Sequence, residues 1–304
     1  MHGGILHVNH IKDQIHCERA YRMGLSGKGI GVAVLDTGIF LHRDFDSRVT
    51  GFADMVNRRN FAYDDCGHGT HICGIIGGSG RMSGGRYSGI APGCNLIMVK
   101  VLDRKGNGYS SDVLAGISWV LERKEQLGIR ILNISVGACS KRGMSENSAL
   151  VKGVNRAWDA GLVVVVAAGN NGPRTMSITT PGISRKVITV GCSDDDREVL
   201  VGGNRMVDYS GRGPTAACIC KPDLVAPGCS VVSCSSRADK YTIKSGTSMS
   251  TPIVSGAVAL LLERFPAMSN KDVKLRLRES SVDIGLPRNQ QGWGLLDVGK
   301  MLER

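Results

Sequence analysis

The chain has 304 residues, 42% apolar and 5% aromatic, with 41 glycines and a formal net charge of +11 from 38 Lys and Arg against 27 Asp and Glu. That composition supplies a substantial core and excludes wholesale disorder, and the lack of a 20–50-residue period excludes a solenoid. The positive charge is spread out, with no basic stripe interleaved with aromatics, so it predicts solubility and no nucleic-acid partner.

The first 23 or so residues read as a short arm carrying His2, His7, His10 and His16. A solvated arm, or one lying in a substrate groove, is favoured there over metal binding. Ile30–Leu35 is the first buried strand, followed by Asn95–Leu102, Arg130–Val136, Leu162–Ala168 and Val187–Gly191. Their Val/Ile runs are continuous rather than alternating, the pattern of a parallel sheet covered on both faces. Gly77–Gly89 reads as a long surface loop. Helices are expected from Ser111-Asp112 to about Gln126, over Glu146–Ala160, over Met249–Arg264 and from Ser269 through Glu279. Met249–Arg264 is apolar nearly all round and should be central, whereas the stretch KDVKLRLR should be a solvated amphipathic face. The β-α rhythm predicts one α/β domain over residues 1–304, a three-layer αβα sandwich around a doubly wound, mostly parallel sheet.

The longest uncharged run, Ser245–Leu262, is broken by Ser, Thr and Pro, so no segment reads as a membrane span of ~20 apolar residues. The N-terminal stretch lacks the apolar centre of a secretory signal. With Met1 as the native start, these features predict a cytoplasmic protein without a membrane partner. The ten cysteines then read as reduced thiols, with Cys73, Cys192 and Cys229 as small buried hydrophobes. Cys218, Cys220, Cys229 and Cys234 could make a four-thiolate zinc site, but they lack its usual spacing.

In open α/β sheets functional groups gather at the carboxyl ends of the strands. Asp36 ends the first strand in VLDTG, and a desolvated carboxylate there needs a partner. His68 lies between two glycines in DCGHGTH, in the first turn of an expected helix. Ser248 opens the buried helix in SGTSMSTP; a hydroxyl is a weak nucleophile, and His68 is the available base. Taken singly, these residues could be a strand-end Asp, a core or capping His and an N-cap Ser.

Together, DTG at Asp36, HGTH at His68, AAGN ending at Asn170 and GTSMSTP around Ser248 resemble the subtilisin-like serine proteases, most closely the intracellular members. The chain order Asp…His…Ser is also theirs, and the resemblance runs from about Gly24 to Leu296. It implies a serine endopeptidase in which Ser248 attacks, His68 is general base and acid, Asp36 orients His68, and Asn170 donates to the oxyanion. Peptide substrates would pair with Asn107–Gly108 and with Ser135, Val136 and Gly137. Ala167, Ala168 and Gly169 would wall the primary pocket, and Thr179 would lie near its base and admit apolar side chains. No catalytic cofactor is implied. Asp44 matches a calcium ligand of the family, but the Gly77–Gly89 loop lacks the Asn-rich ligand pattern of the secreted members. Ala138 stands where the family commonly has Gly. Only 35 residues precede Asp36, too few for a large prodomain. Cys66, beside His68, could confer sensitivity to thiol reagents.

Three rival readings follow from the same residues. Gly27, Gly29 and Gly31 form GxGxG, but before a strand instead of between strand and helix, against a nucleotide-binding module. A catalytically silent binding scaffold is opposed by the complete set Asp36, His68, Asn170 and Ser248. A cytoplasmic protease dedicated to trimming one precursor peptide keeps the chemistry and narrows the substrate.

Overall fold

A computed structural model describes residues 8–137 and 146–303. Ala138, His2 and His7 lie outside the described residues. Two short helices, α1 (Val8–Gln14) and α2 (Glu18–Arg22), precede β1 (Gly31–Asp36) and β2 (Val49–Asp54). Then follow α3 (His68–Gly77), β3 (Asn95–Lys100), α4 (Ser110–Arg123), β4 (Ile129–Ile134), α5 (Ala149–Asp159), β5 (Val163–Ala167) and β6 (Ile188–Cys192). The last third contains β7 (Val199–Val201), β8 (Asn204–Met206), β9 (Leu224–Ala226), β10 (Val231–Cys234) and β11 (Tyr241–Lys244). It closes with α6 (Thr247–Arg264), α7 (Asn270–Ser280), α8 (Arg288–Gln291) and α9 (Val298–Met301).

Seven strands form a parallel sheet in the order β2-β3-β1-β4-β5-β6-β9, and β7-β8 and β10-β11 are antiparallel hairpins beside it. β1 is buried at every position, as its unbroken apolar run requires. α3 packs on α6 and α4 on α5, which gives the two helical layers of the αβα sandwich. α6 is buried at Thr247 and throughout Met249–Leu262, and it runs beside β4, β5 and β6. β1 is flanked by β3 on one side and β4 on the other, so the strand order reverses beside β1, where an α/β sheet opens a crevice at its carboxyl edge.

Several expectations need correction. Residues 8–22 are no solvated or groove-filling arm: Ile11, Ile15, Cys17 and Ala20 are buried in the main core, and the Tyr21 hydroxyl donates to Ile90 O at 2.9 Å. The arm docks because its apolar residues recur at helical spacing. α5 begins at Ala149 rather than Glu146, because the Ser148 side chain accepts from Val151 N and caps it there. In KDVKLRLR, Val273 and Leu277 are buried, but Leu275 is 53% exposed on the solvent side of α7. The edge strand β2 and the two hairpins, with short or mixed sequences, carried no periodic signal strong enough to place them. The amides of Ser26 and Gly27 donate to the Glu263 carboxylate, and Gly31 N donates to Gly128 O. The GxGxG amides at Gly27 and Gly31 are therefore spent within the fold.

Candidate active site

Asp36 is fully buried at the carboxyl end of β1. Its Oδ1 accepts from Thr37 N at 2.7 Å, and both carboxylate oxygens face His68 Nδ1, at 2.8 and 2.9 Å. His68 is the first residue of α3, with its side chain 23% exposed. Asp64 fixes that helix start. It accepts from the amides of Cys66, Gly67 and Thr70 and from the hydroxyls of Thr37 and Thr70. Thr37 Oγ1 in turn accepts from Gly69 N at 2.9 Å, so strand end and helix start are bolted together. Lys100 is buried behind this turn, and its ammonium donates to Thr37 O, Leu102 O and the Asp65 carboxylate at 2.6 to 2.8 Å.

Burial opposes charging of the His68 imidazole, but the Asp36 charge and hydrogen bond outweigh it, and the pKa is raised above its ordinary 6.5. His71, one turn on, behaves oppositely. Burial, then the positive charges of Lys244 and His68, push its pKa down to about 3, and its Nε2 faces the carbonyls of Val231 and Thr242. It is a neutral core histidine.

Ser248 is the second residue of α6. Its Oγ donates to Ser135 O at 2.7 Å, so the hydroxyl proton is directed at the end of β4 and not at His68. Leu35 pairs with Ile134 across β1 and β4, which sets Asp36 and Ser135 on neighbouring strand ends. Asn170 Oδ1 accepts from both Thr247 N and Thr247 Oγ1, each at 3.0 Å, which fixes the amide with Nδ2 on the other side. Among the described residues that Nδ2 has no hydrogen-bond partner. Gly246 has φ +138°, and a Cβ there would stand 3.2 Å from Asn170 Nδ2, so a bare backbone lets the amide lie against the start of α6.

Asn107, Gly108, Val136 and Gly137 line a cleft of about 220 Å³. Ser110 and Tyr109 also border it. Thr179 is buried and donates from its amide to Ala168 O at 2.9 Å. A Cβ on Gly137 would lie 2.2 Å from Thr179 Oγ1, and one on Gly169 2.4 Å from Thr179 Cγ2. Thr179 is therefore wedged between two bare backbones. Ala167 and Ala168 are buried, and the Ala168 side chain packs with Val151, Ile178 and Ile183. Thr37, Asp64, Thr247 and Lys100 were not singled out from sequence, although Thr37 and Thr247 lie within the motifs quoted above and Asp64 precedes one.

The residues around Asp44 do not fit calcium. Its Oδ1 accepts from Met82 N at 2.9 Å and its Oδ2 from the Tyr241 hydroxyl at 2.6 Å, with the Cys234 thiol and His42 beside it. Calcium needs six to eight oxygen ligands, and here neutral protein donors, one of them a thiol, already occupy both carboxylate oxygens. The four-thiolate zinc set is also dispersed: Cys218 and Cys220 are exposed, Cys229 lies by Tyr209 and Cys234 by Asp44.

Residues 27–294 match the model of the subtilase family, Peptidase S8. This chain belongs to the subtilase family. Among curated relatives it is 42% identical over 285 residues to serine protease AprX of Bacillus subtilis (strain 168), covering 88% of this chain. It spans only 64% of the length of AprX. Subtilisin DY of Bacillus licheniformis is 32% identical, with 93% of this subtilase and 94% of that protein covered. Among solved structures, sphericase superposes with a TM-score of 0.75 at 31% identity, covering 90% of this chain and 93% of that one. A cold-adapted subtilisin-like serine proteinase gives 0.73 at 28% identity. The chain thus shares the fold of both solved proteins.

Proposed function

We propose that this subtilase is a serine endopeptidase in which Asp36, His68 and Ser248 relay a proton and Asn170 holds the oxyanion. The observation that carries the reading is the contact of His68 Nδ1 with both oxygens of the buried Asp36. It fixes the tautomer and orientation of the ring, so Nε2 presents a lone pair to the nucleophile. With a peptide bound, Ser248 Oγ leaves Ser135 O, passes its proton to His68 and attacks the scissile carbonyl. The developing oxyanion accepts from Asn170 Nδ2 and from Ser248 N, an amide of the first helical turn with no intrahelical acceptor. Imidazolium then returns the proton to the leaving amine, and water repeats the sequence on the acyl-enzyme.

Substrate backbone would pair with Asn107–Gly108 on one side and Ser135–Gly137 on the other. Thr179 is small and uncharged, which favours apolar side chains in the primary pocket. The nine described cysteines are all free, which suits a reducing cytoplasm. The test is labelling by a fluorophosphonate, followed by profiling of a peptide library with wild type and Ser248→Ala side by side. Labelling at Ser248 and cleavage after apolar residues are expected; labelling that survives Ser248→Ala overturns the assignment, and cleavage confined to Lys or Arg overturns the pocket.

A further inference from the structure

Two buried clusters combine a carboxylate with thiols. Around Asp44 every carboxylate oxygen has a donor, and the cluster is closed. Around Asp194 it is not. Asp194 Oδ1 accepts from Gly228 N at 2.7 Å, Cys229 N at 3.1 Å and the Cys192 thiol at 3.0 Å, but Oδ2 is buried with no partner. Among the described residues no Lys or Arg pairs with Asp194. The Tyr209 hydroxyl lies between the sulfurs, 3.2 Å from Cys192 Sγ and 3.1 Å from Cys229 Sγ, and the Cys229 thiol donates to Asp194 O at 2.8 Å. One ligand atom each from Cys192, Asp194 and Cys229 lies within 4.8 Å of the other two.

Asp194 is half-buried, but a carboxylate oxygen buried without a hydrogen-bond partner or counter-charge is costly, and two thiols beside it supply soft donors. We propose that Cys192, Cys229 and Asp194, with the Tyr209 oxygen as a neutral fourth donor, form a binding site for a thiophilic divalent cation of the zinc class. Two sulfurs and two oxygens are a donor set that a four-coordinate zinc ion accepts. Binding releases the two thiol protons as the metal–sulfur bonds form, so no oxidant or reductant is involved and affinity falls as pH falls. The site would also reach the catalytic loop: Gly228, held by Asp194, accepts from Gly246 N at 3.0 Å, two residues before Ser248.

The test uses the full chain in a Cys218→Ser/Cys220→Ser background, which removes the exposed thiol pair, reduced with a phosphine and freed of metal by a chelator. Cobalt titration should saturate at one equivalent, with thiolate-to-cobalt charge-transfer absorption that zinc abolishes; the N-terminal histidines would give no such band. Zinc should raise the melting temperature and release about two protons per ion. Cys192→Ser and Cys229→Ser should each weaken zinc binding by roughly tenfold or more, and Tyr209→Phe by less. No stoichiometric binding, or an unchanged charge-transfer band in both serine variants, overturns the site. If those variants do not fold, alkylation mapping of the parent decides. Zinc-dependent protection at Cys192 and Cys229 supports the site, and protection confined to other cysteines overturns it.

Discussion

The two halves of the candidate site are held very differently. Asp36 and His68 sit in a closed network through Thr37, Asp64 and Lys100, with the Nδ1 contact already made. On the other half, the Ser248 hydroxyl is turned to Ser135 O, and Asn170 is held by its oxygen while its Nδ2 has no partner among the described residues. In the proposed mechanism the base is set in the resting protein, whereas the nucleophile and the oxyanion donor are left for the substrate to engage. Binding energy can then be spent where charge develops, at the Ser248 half.

Variants that separate the halves test this contrast. Ser248→Ala should lower kcat by about 10⁴–10⁶-fold while leaving stability within about 0.5 kcal/mol, as measured by single-turnover kinetics and urea melts. Asp36→Asn should cost on the order of 10⁴ in kcat by removing the charge that holds the ring. It should also shift the pH profile. His68 acts as a base only when neutral, and its raised pKa puts the rising limb of kcat/KM above 6.5; without the Asp36 charge that limb moves down. The sign for stability is opposite: the charged pair stabilises the fold fully below the unfolded pKa, and this contribution fades as pH rises through the folded pKa. Asn170→Leu should cost about 10²–10³ in kcat, the magnitude attached to loss of the corresponding donor in subtilisin itself, with KM little changed.

Smaller effects should come from the supports. Thr37→Val removes both the donor to Asp64 and the acceptor for Gly69 N. It should cost about 1–3 kcal/mol in a thermal melt, with only a modest fall in kcat/KM. Tyr241→Phe lies outside both halves; it leaves a buried oxygen of Asp44 with only the long Cys234 thiol contact and should cost about 1–3 kcal/mol with kcat unchanged. Calcium should raise the melting temperature of the parent protein no more than magnesium does. A calcium-specific rise that Asp44→Asn abolishes would place the ion at Asp44 and overturn this reading.

The sheet was legible wherever strands were buried on both faces, because an unbroken apolar run such as Val163–Ala167 fits little else. Asp36, His68 and Ser248 were legible through their short motifs, and the folded chain places them at strand and helix ends. β2 and the hairpins were not, since partly exposed strands and three- or four-residue ladders leave weak periodicity. Asp44 shows the harder limit. Its position suggested a cation ligand, yet the donor that occupies it, Tyr241, comes from a strand 197 residues away, and no local pattern reports that pairing. The hydroxyl of Ser248 also lay beyond sequence reasoning, because its rotamer depends on the Ser135 carbonyl across the cleft.

The docking of residues 8–22 has a consequence for the ends of the described chain. Val298 N donates to Ile15 O at 2.8 Å, Asp297 accepts from the His16 ring at 3.0 Å, and Arg19 pairs with Glu303. α2 and the segment before it therefore meet α9, which brings the N-terminal part of the described chain to its C-terminal end. A flexible bridge from Glu303 to Val8, long enough to run back along α1, with a new opening at the exposed Gly202-Gly203 turn, should yield a circular permutant that still folds.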